Sequence, residues 1–126
     1  MSTNAKQYGK GDVVLVMFPQ TSDDGQVSTK RRPAVVVSNE TEDALSEDVM
    51  LVPLTSVTRR DHPDEKRIFV SMDTPEGQAA GLRLDCFIDC RIVARIPKEL
   101  IAIRIGRFSE SMIRSIEQAI DNTDSE

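Results

Sequence analysis

The chain has 126 residues, 39% of them hydrophobic, with no Trp and a formal net charge of −5. This is the length of one ordinary domain with material for one core. No apolar run approaches the ~20 residues of a membrane span, and MSTNAKQYGKGD at the start has no apolar signal-peptide centre, so a soluble, cytoplasmic protein is expected.

The charges segregate. Acids crowd Glu40 to Asp48 and recur at Asp121, Asp124 and Glu126. Cations gather at Lys30–Arg32, Arg59–Arg60, Lys66–Arg67 and in an arginine series from Arg83 to Arg107. A basic face on an acidic protein is therefore possible, and net charge does not exclude a nucleic-acid partner.

In chain order, Asp12–Phe18 (DVVLVMF) is a Val-rich run that reads as a buried strand. Pro19 is expected to end it. Gln20–Arg32 reads as a long polar loop with an Asp24-Gly25 turn signal. Pro33–Ser38 is the second strand, with its proline in the first position, where no ladder donor is missed. NETEDALSED fits a short acidic helical turn or a solvated loop. Val49–Thr55 is the third strand, and Pro53 inside it suggests an edge, a bulge or an early end.

A second polar loop, SVTRRDHPDE, leads to Lys66–Met72. There Ile68, Val70 and Met72 alternate with Phe69 and Ser71, the pattern of a half-buried strand. DTPEGQAAG turns the chain. Leu82–Ile96 supplies one or two further strands, PKEL a tight turn, and Ile101–Ile105 a last alternating strand closed by Gly106. Ser109 can cap a helix. Met112, Ile113, Ile116, Ala119 and Ile120 form one apolar stripe at helical period, facing the sheet. The whole predicts a mainly β domain over residues 1–126: an antiparallel, partly closed barrel with a C-terminal helix and flexible ends at 1–9 and 122–126.

Little here resembles cofactor chemistry. Gly9 and Gly11 precede a strand, whereas a dinucleotide fingerprint follows one. His62, the single histidine, sits in a charged loop and reads as solvated. Cys86 and Cys90 would lie ~13 Å apart on a straight strand, too far for a disulfide, and read as reduced core residues. No metal and no cofactor is expected.

Two positions carry candidate chemistry. Arg32 stands where loop meets strand, held by the fixed backbone of Pro33. Thr55 and Ser56 emerge after the apolar run VMLVPL. If the second and third strands pair as an antiparallel meander, Arg32 faces Thr55. A guanidinium beside a hydroxyl can bind a phosphodiester and stabilise charge growing on it. Spacing alone leaves open a plain strand-end cation and an ordinary Thr-Ser turn.

The ordered set GDVVLVMF, RRPAVVVS, VPLTS and FIDCRIVARIPKELIAIRIGRFS, followed by a short helix, resembles the MazF/PemK/Kid family of toxin ribonucleases from Gly11 to Ile120. The resemblance implies an SH3-like barrel of the CcdB/PemK type, a homodimer and a cognate antitoxin. It implies metal-independent cleavage of single-stranded RNA by 2'-hydroxyl attack, leaving a cyclic phosphate and a 5'-hydroxyl, and so inhibition of translation. It assigns catalysis to Arg32, before the proline, and to Thr55, in the proline-hydrophobic-threonine element. Lys30, Arg31, Ser56, Arg59, Arg60 and Arg91 are candidate RNA contacts. An acidic antitoxin segment would compete with RNA for Arg31, Arg32 and Arg59.

Two features depart from the family pattern. Gln26-Val27 stands where many relatives have Glu-Gln, and Asp89 and Arg91 reverse an Arg/Asp pair. Two further readings stay open: a degenerate barrel of this family that binds RNA or a protein without cutting, and a generic interaction barrel.

Overall fold

The computed structural model describes residues 8–38, 47–57 and 66–124. Seven antiparallel strands are followed by one long helix: β1 (Asp12–Thr21), β2 (Val27–Val36), β3 (Asp48–Ser56), β4 (Arg67–Val70), β5 (Cys86–Asp89), β6 (Ala94–Pro97), β7 (Ile101–Arg107) and α2 (Glu110–Asp124). A short helix, α1 (Pro75–Ala79), lies between β4 and β5, and one 3-10 turn (Lys98–Leu100) between β6 and β7. The strand order is β4-β5-β3-β2-β1-β7, with β6 also on β3. The path is barrel-like but not closed. Among the described residues no helix is long and apolar enough to cross a membrane.

β3 holds the two halves together. It pairs with β6 over Asp48–Leu51, with β2 over Leu51–Pro53 and with β5 over Leu54–Ser56. Successive side chains of a strand point to opposite faces, and both faces of β1–β3 are covered. Val13, Val35, Val52 and Leu54 join Val70, Ile88 and Phe108 beneath Ile116 and Ala119 of α2. Val14, Val16, Ala34, Val36, Val49 and Leu51 join Tyr8, Ile96 and Ile101 on the other side. Double coverage explains why these strands read as unbroken apolar runs. In β4 only Ile68 and Val70 reach the core; Phe69 is exposed.

The helix forms as its sequence pattern predicts. Met112 N donates to the Ser109 hydroxyl, the N-cap bond, at 3.1 Å. Ser109 in turn donates its N–H and its hydroxyl to the Glu76 carboxylate, both at 2.7 Å, tying α2 to α1. The DTPEGQAAG segment is therefore not a simple turn. Thr74 caps α1 by accepting from Gly77 N, and Pro75 takes the first turn, where its missing donor is harmless.

Four further expectations change. Pro19 does not end β1, and the expected loop Gln20–Arg32 is mostly ladder. β1 and β2 form a long hairpin paired from Val13↔Val35 to Thr21↔Val27, closed by a turn at Ser22–Gln26 with Gly25 at φ 86°. Pro33 is accordingly mid-strand, opposite Leu15. Gly106 lies inside β7, not beyond it. The acidic segment 39–46 and the loop 58–65 lie outside the described residues.

The hairpin accepts both its prolines for one reason. Ser22 N donates to Gln26 O, which makes 22/26 a hydrogen-bonded pair. Antiparallel pairs alternate between bonded and non-bonded. Pro19↔Thr29 and Leu15↔Pro33 are therefore non-bonded, and neither proline nitrogen faces the hairpin partner. At Pro19 it faces an open edge, because β7 leaves β1 at Val16.

Two glycines make a contrast. A Cβ at Gly106 would lie 2.3 Å from Ala80 C and 2.4 Å from Ala79 O, so β7 and the end of α1 meet backbone to backbone. A Cβ at Gly25 would meet nothing within 4 Å. Gly106→Val should lose about 1–3 kcal/mol or more through forced displacement. Gly25→Ala should lose only about 1 kcal/mol of left-handed backbone strain. Urea unfolding of the two variants checks this; equal losses would mean that the α1–β7 contact is not tight.

Candidate nucleic-acid interface

Pro33 sets the geometry. On the β2–β3 side, Val37 N donates to Met50 O, so 37/50 is a bonded pair and alternation makes 33/54 the next but one. Pro33 has no N–H to give Leu54. The ladder stops at Ala34↔Pro53, while on its other edge β3 pairs Leu54, Thr55 and Ser56 with Ile88, Phe87 and Cys86 of β5. Pro53 is compatible with the middle of β3 for the complementary reason. Its nitrogen faces away from β2, into the gap between the ends of β6 and β5.

The register, continued two residues past Ala34↔Pro53, sets Arg32 across from Thr55. They stand on the two rims of the opening where β2 and β3 part. Both are exposed, and neither has a side-chain hydrogen bond or ion pair among the described residues.

Period-two alternation divides the other candidates. Lys30 shares the face of Arg32. Arg31 points the other way, into a cleft of about 380 Å³ lined by Leu15, Pro33, Leu82, Arg83, Leu84 and Cys86. Ser56, paired with Cys86, points away from Thr55. The cluster Lys30–Arg32 is thus split between two faces. Arg59, Arg60 and His62 lie outside the described residues.

Arg91 is already engaged. β5 ends at Asp89, and the Arg91 side chain folds back from the following turn: Nε reaches Asp89 Oδ1 and Nη2 reaches Oδ2, both at 2.8 Å. Asp89 is buried. Hydrogen bonds from Arg91 hold its carboxyl below the usual range against the opposing effect of burial, helped by the charges of Arg91 and Arg67. Burial and the neighbouring Asp89 charge push the Cys90 thiol up to about 11. Cys86 and Cys90 are both free and buried.

Three residues beside Thr55 were not singled out from sequence. Phe87 is directly opposite Thr55, and Phe69 directly opposite Phe87. The two rings meet edge to face, centroids 5.8 Å apart at 66°. The Arg67 guanidinium lies over the Phe87 ring, 5.3 Å from its centroid. The signal available was Phe69 on the outward side of an alternating strand; its partners required the β4–β5 pairing.

The fold is thus a barrel-like antiparallel sheet with a cation and a hydroxyl at a parted strand pair and an exposed ring, Phe69, nearby. The sequence matches the model of the PemK-like, MazF-like toxins of type II toxin–antitoxin systems over residues 9–123, and the chain belongs to that family. Among solved structures it is similar to the MazE–MazF complex of Deinococcus radiodurans (TM-score 0.72, 13% identity, 95% of this chain and 97% of that one). It is also similar to the toxin MazF-mt6 of Mycobacterium tuberculosis (TM-score 0.66, 18% identity, 90% and 96%). A third is a mycobacterial endoribonuclease in complex with its cognate antitoxin (TM-score 0.67, 16% identity, 94% and 95%). No curated protein matches the sequence. At these identities the structures show a shared fold.

Pro33→Val should supply the missing donor and let the ladder extend to Leu54. A gain of about 1 kcal/mol and slow hydrogen exchange of the amide at position 33 are expected; a freely exchanging amide would mean the strands part for another reason.

The ion pair makes a second prediction. Asp89 is depressed in the folded state, so its contribution is full above the unfolded value, ~3.9, and is lost as pH falls through the lower folded value. Arg91→Ala should therefore remove about 1–3 kcal/mol at neutral pH and weaken the acid dependence of stability. Denaturant midpoints at neutral pH and near pH 3 test it; a variant that tracks the parent at both would show the pair to be inert.

Proposed function

We propose that the protein is the toxin of a toxin–antitoxin pair and an endoribonuclease of single-stranded RNA, acting at Arg32 and Thr55. The observation that carries this is the uncommitted Arg32 guanidinium set across from Thr55 where the β2–β3 ladder ends. A phosphodiester between these rims would meet a planar fork of donors on one side and a hydroxyl on the other.

The chemistry needs no imported group. The ribose 2'-oxygen attacks the adjacent phosphorus, the bond from phosphorus to the 5'-oxygen breaks, and a cyclic phosphate and a 5'-hydroxyl result. One proton leaves the 2'-hydroxyl and one arrives at the 5'-oxygen, so the products are an isomer of the cut strand. Arg32 keeps its proton throughout. Its role is to stabilise charge on the phosphate oxygens in the transition state, while Thr55 orients the phosphate. Lys30, on the same face, adds backbone affinity.

Partners follow from the surfaces. Leu84 and Ile103 are exposed beside the apolar cleft, and that face suits a second copy of the chain. An acidic antitoxin segment suits the Lys30 and Arg32 face and would block RNA there. Reduced translation would follow from cleavage of messenger RNA.

Cleavage of a long single-stranded RNA should persist in excess EDTA. Arg32→Ala should slow it ~10²–10³-fold, with stability within about 0.5 kcal/mol of wild type, as for an exposed position. Arg32→Lys should recover little, lacking the planar fork. Gel analysis of end-labelled RNA and urea unfolding provide the measurements. Near-normal cutting by Arg32→Ala would remove Arg32 from the site.

A further inference from the structure

We infer that Phe69, braced by Phe87 and Arg67, is a stacking platform for a base beside the phosphate held at Arg32 and Thr55; this rests on the RNA reading above. The registers draw one line across the sheet. The β2–β3 register, continued two residues past its last pair, brings Arg32 toward Thr55; Thr55 pairs with Phe87 on β5, and Phe87 pairs with Phe69 on β4. Paired residues point to the same face, and neighbouring strands lie ~4.8 Å apart. Phe69 therefore stands ~10 Å along the sheet from Thr55, within reach of a nucleotide adjoining the scissile phosphate.

Phe69 lies outside the two main core clusters. Ile68 and Val70 take the inward face of β4, while Phe69 is 44% exposed in a chain with four Phe, one Tyr and no Trp. Its support is rigid. Phe87 is 1% exposed, with Phe69 edge-on against its ring and the Arg67 guanidinium lying over it. Those contacts back Phe69 with a buried ring that is itself braced. An open aromatic ring takes a base by stacking. Sequence tolerance is expected of such stacking, because every base has a π-face. The exposed apolar patch at Leu84 and Ile103 is a different feature, adjoining the cleft that Arg31 enters on the other face.

The test uses Phe69→Trp, which introduces the only tryptophan in the chain, together with Phe69→Ala and Phe69→Leu. The probe is a mixed-sequence single-stranded RNA with every 2'-hydroxyl methylated, so that it binds without being cut. Phe69→Trp should bind like wild type, and its emission should be quenched as the probe saturates it. Phe69→Ala and Phe69→Leu should bind about 10–100-fold more weakly, the Leu variant failing because apolar area without a π-face does not replace stacking. With cleavable RNA the loss should appear in KM more than in kcat. Far-ultraviolet dichroism and thermal midpoint show whether each variant is folded.

Wild-type affinity in a folded Phe69→Ala, or unquenched tryptophan at saturation, overturns the platform. So does a Phe69→Ala that binds the probe normally and loses only self-association. If wild type cuts RNA and Arg32→Ala does not, such results leave the catalytic reading standing. A wild type that neither binds the probe nor cuts RNA overturns both.

Discussion

One absent hydrogen atom organises the candidate site. Pro33 occupies the position whose N–H would bond Leu54, and no rotation of the ring restores that donor. β2 and β3 cannot stay paired beyond Ala34↔Pro53. β3 stays paired with β5 on its other edge, β2 continues outward with β1 as a two-stranded ribbon, and Arg32 and Thr55 are left where the two part. The same proline fixes the backbone angle next to Arg32.

The charge balance makes sense in this frame. A protein of net charge −5 can still offer a cationic surface if its other cations are spent locally. Lys10 pairs with Glu117 at 2.8 Å, Arg91 with Asp89, and Arg104 and Arg107 both approach the buried Asp12 carboxylate at 3.6 Å. Lys30 and Arg32 have no such partner among the described residues. What a polyanion meets locally is uncommitted charge, which Lys30 and Arg32 supply.

Much of this was legible in sequence. The apolar runs located β1, β2, β3 and β7, and the stripe from Met112 to Ile120 located α2. The expectation that Arg32 faces Thr55 rested on an antiparallel meander of the second and third strands, and these do pair antiparallel, although their ladder ends two residues short at Ala34↔Pro53. The hairpin from Gln20 to Arg32 was not legible, because a ribbon solvated on both faces has no hydrophobic alternation to read. The prolines misled in the same region, since a strand tolerates Pro wherever the missing donor faces an open edge. α1 was legible and missed: Thr74 followed by Pro75 is a capping residue and a first-turn proline. The division of Arg31 from Arg32 also lay in the sequence, as simple alternation. That Asp89 and Arg91 pair was legible from opposite charges two residues apart, and the structure bears it out; the bidentate form was not, because it depends on β5 ending at Asp89 and the chain turning back.

β4 is four residues long and pairs only with β5. Short segments with one neighbour open at lower free energy than the body of a fold. The two thiols sit at its ends: Val70 is opposite Cys86, and Cys90 N donates to Lys66 O at 2.7 Å. Both thiols are buried, and burial keeps them protonated and unreactive while β4 is paired. The rate at which an alkylating reagent captures them measures how often this edge of the sheet lifts, independently of any enzymatic readout.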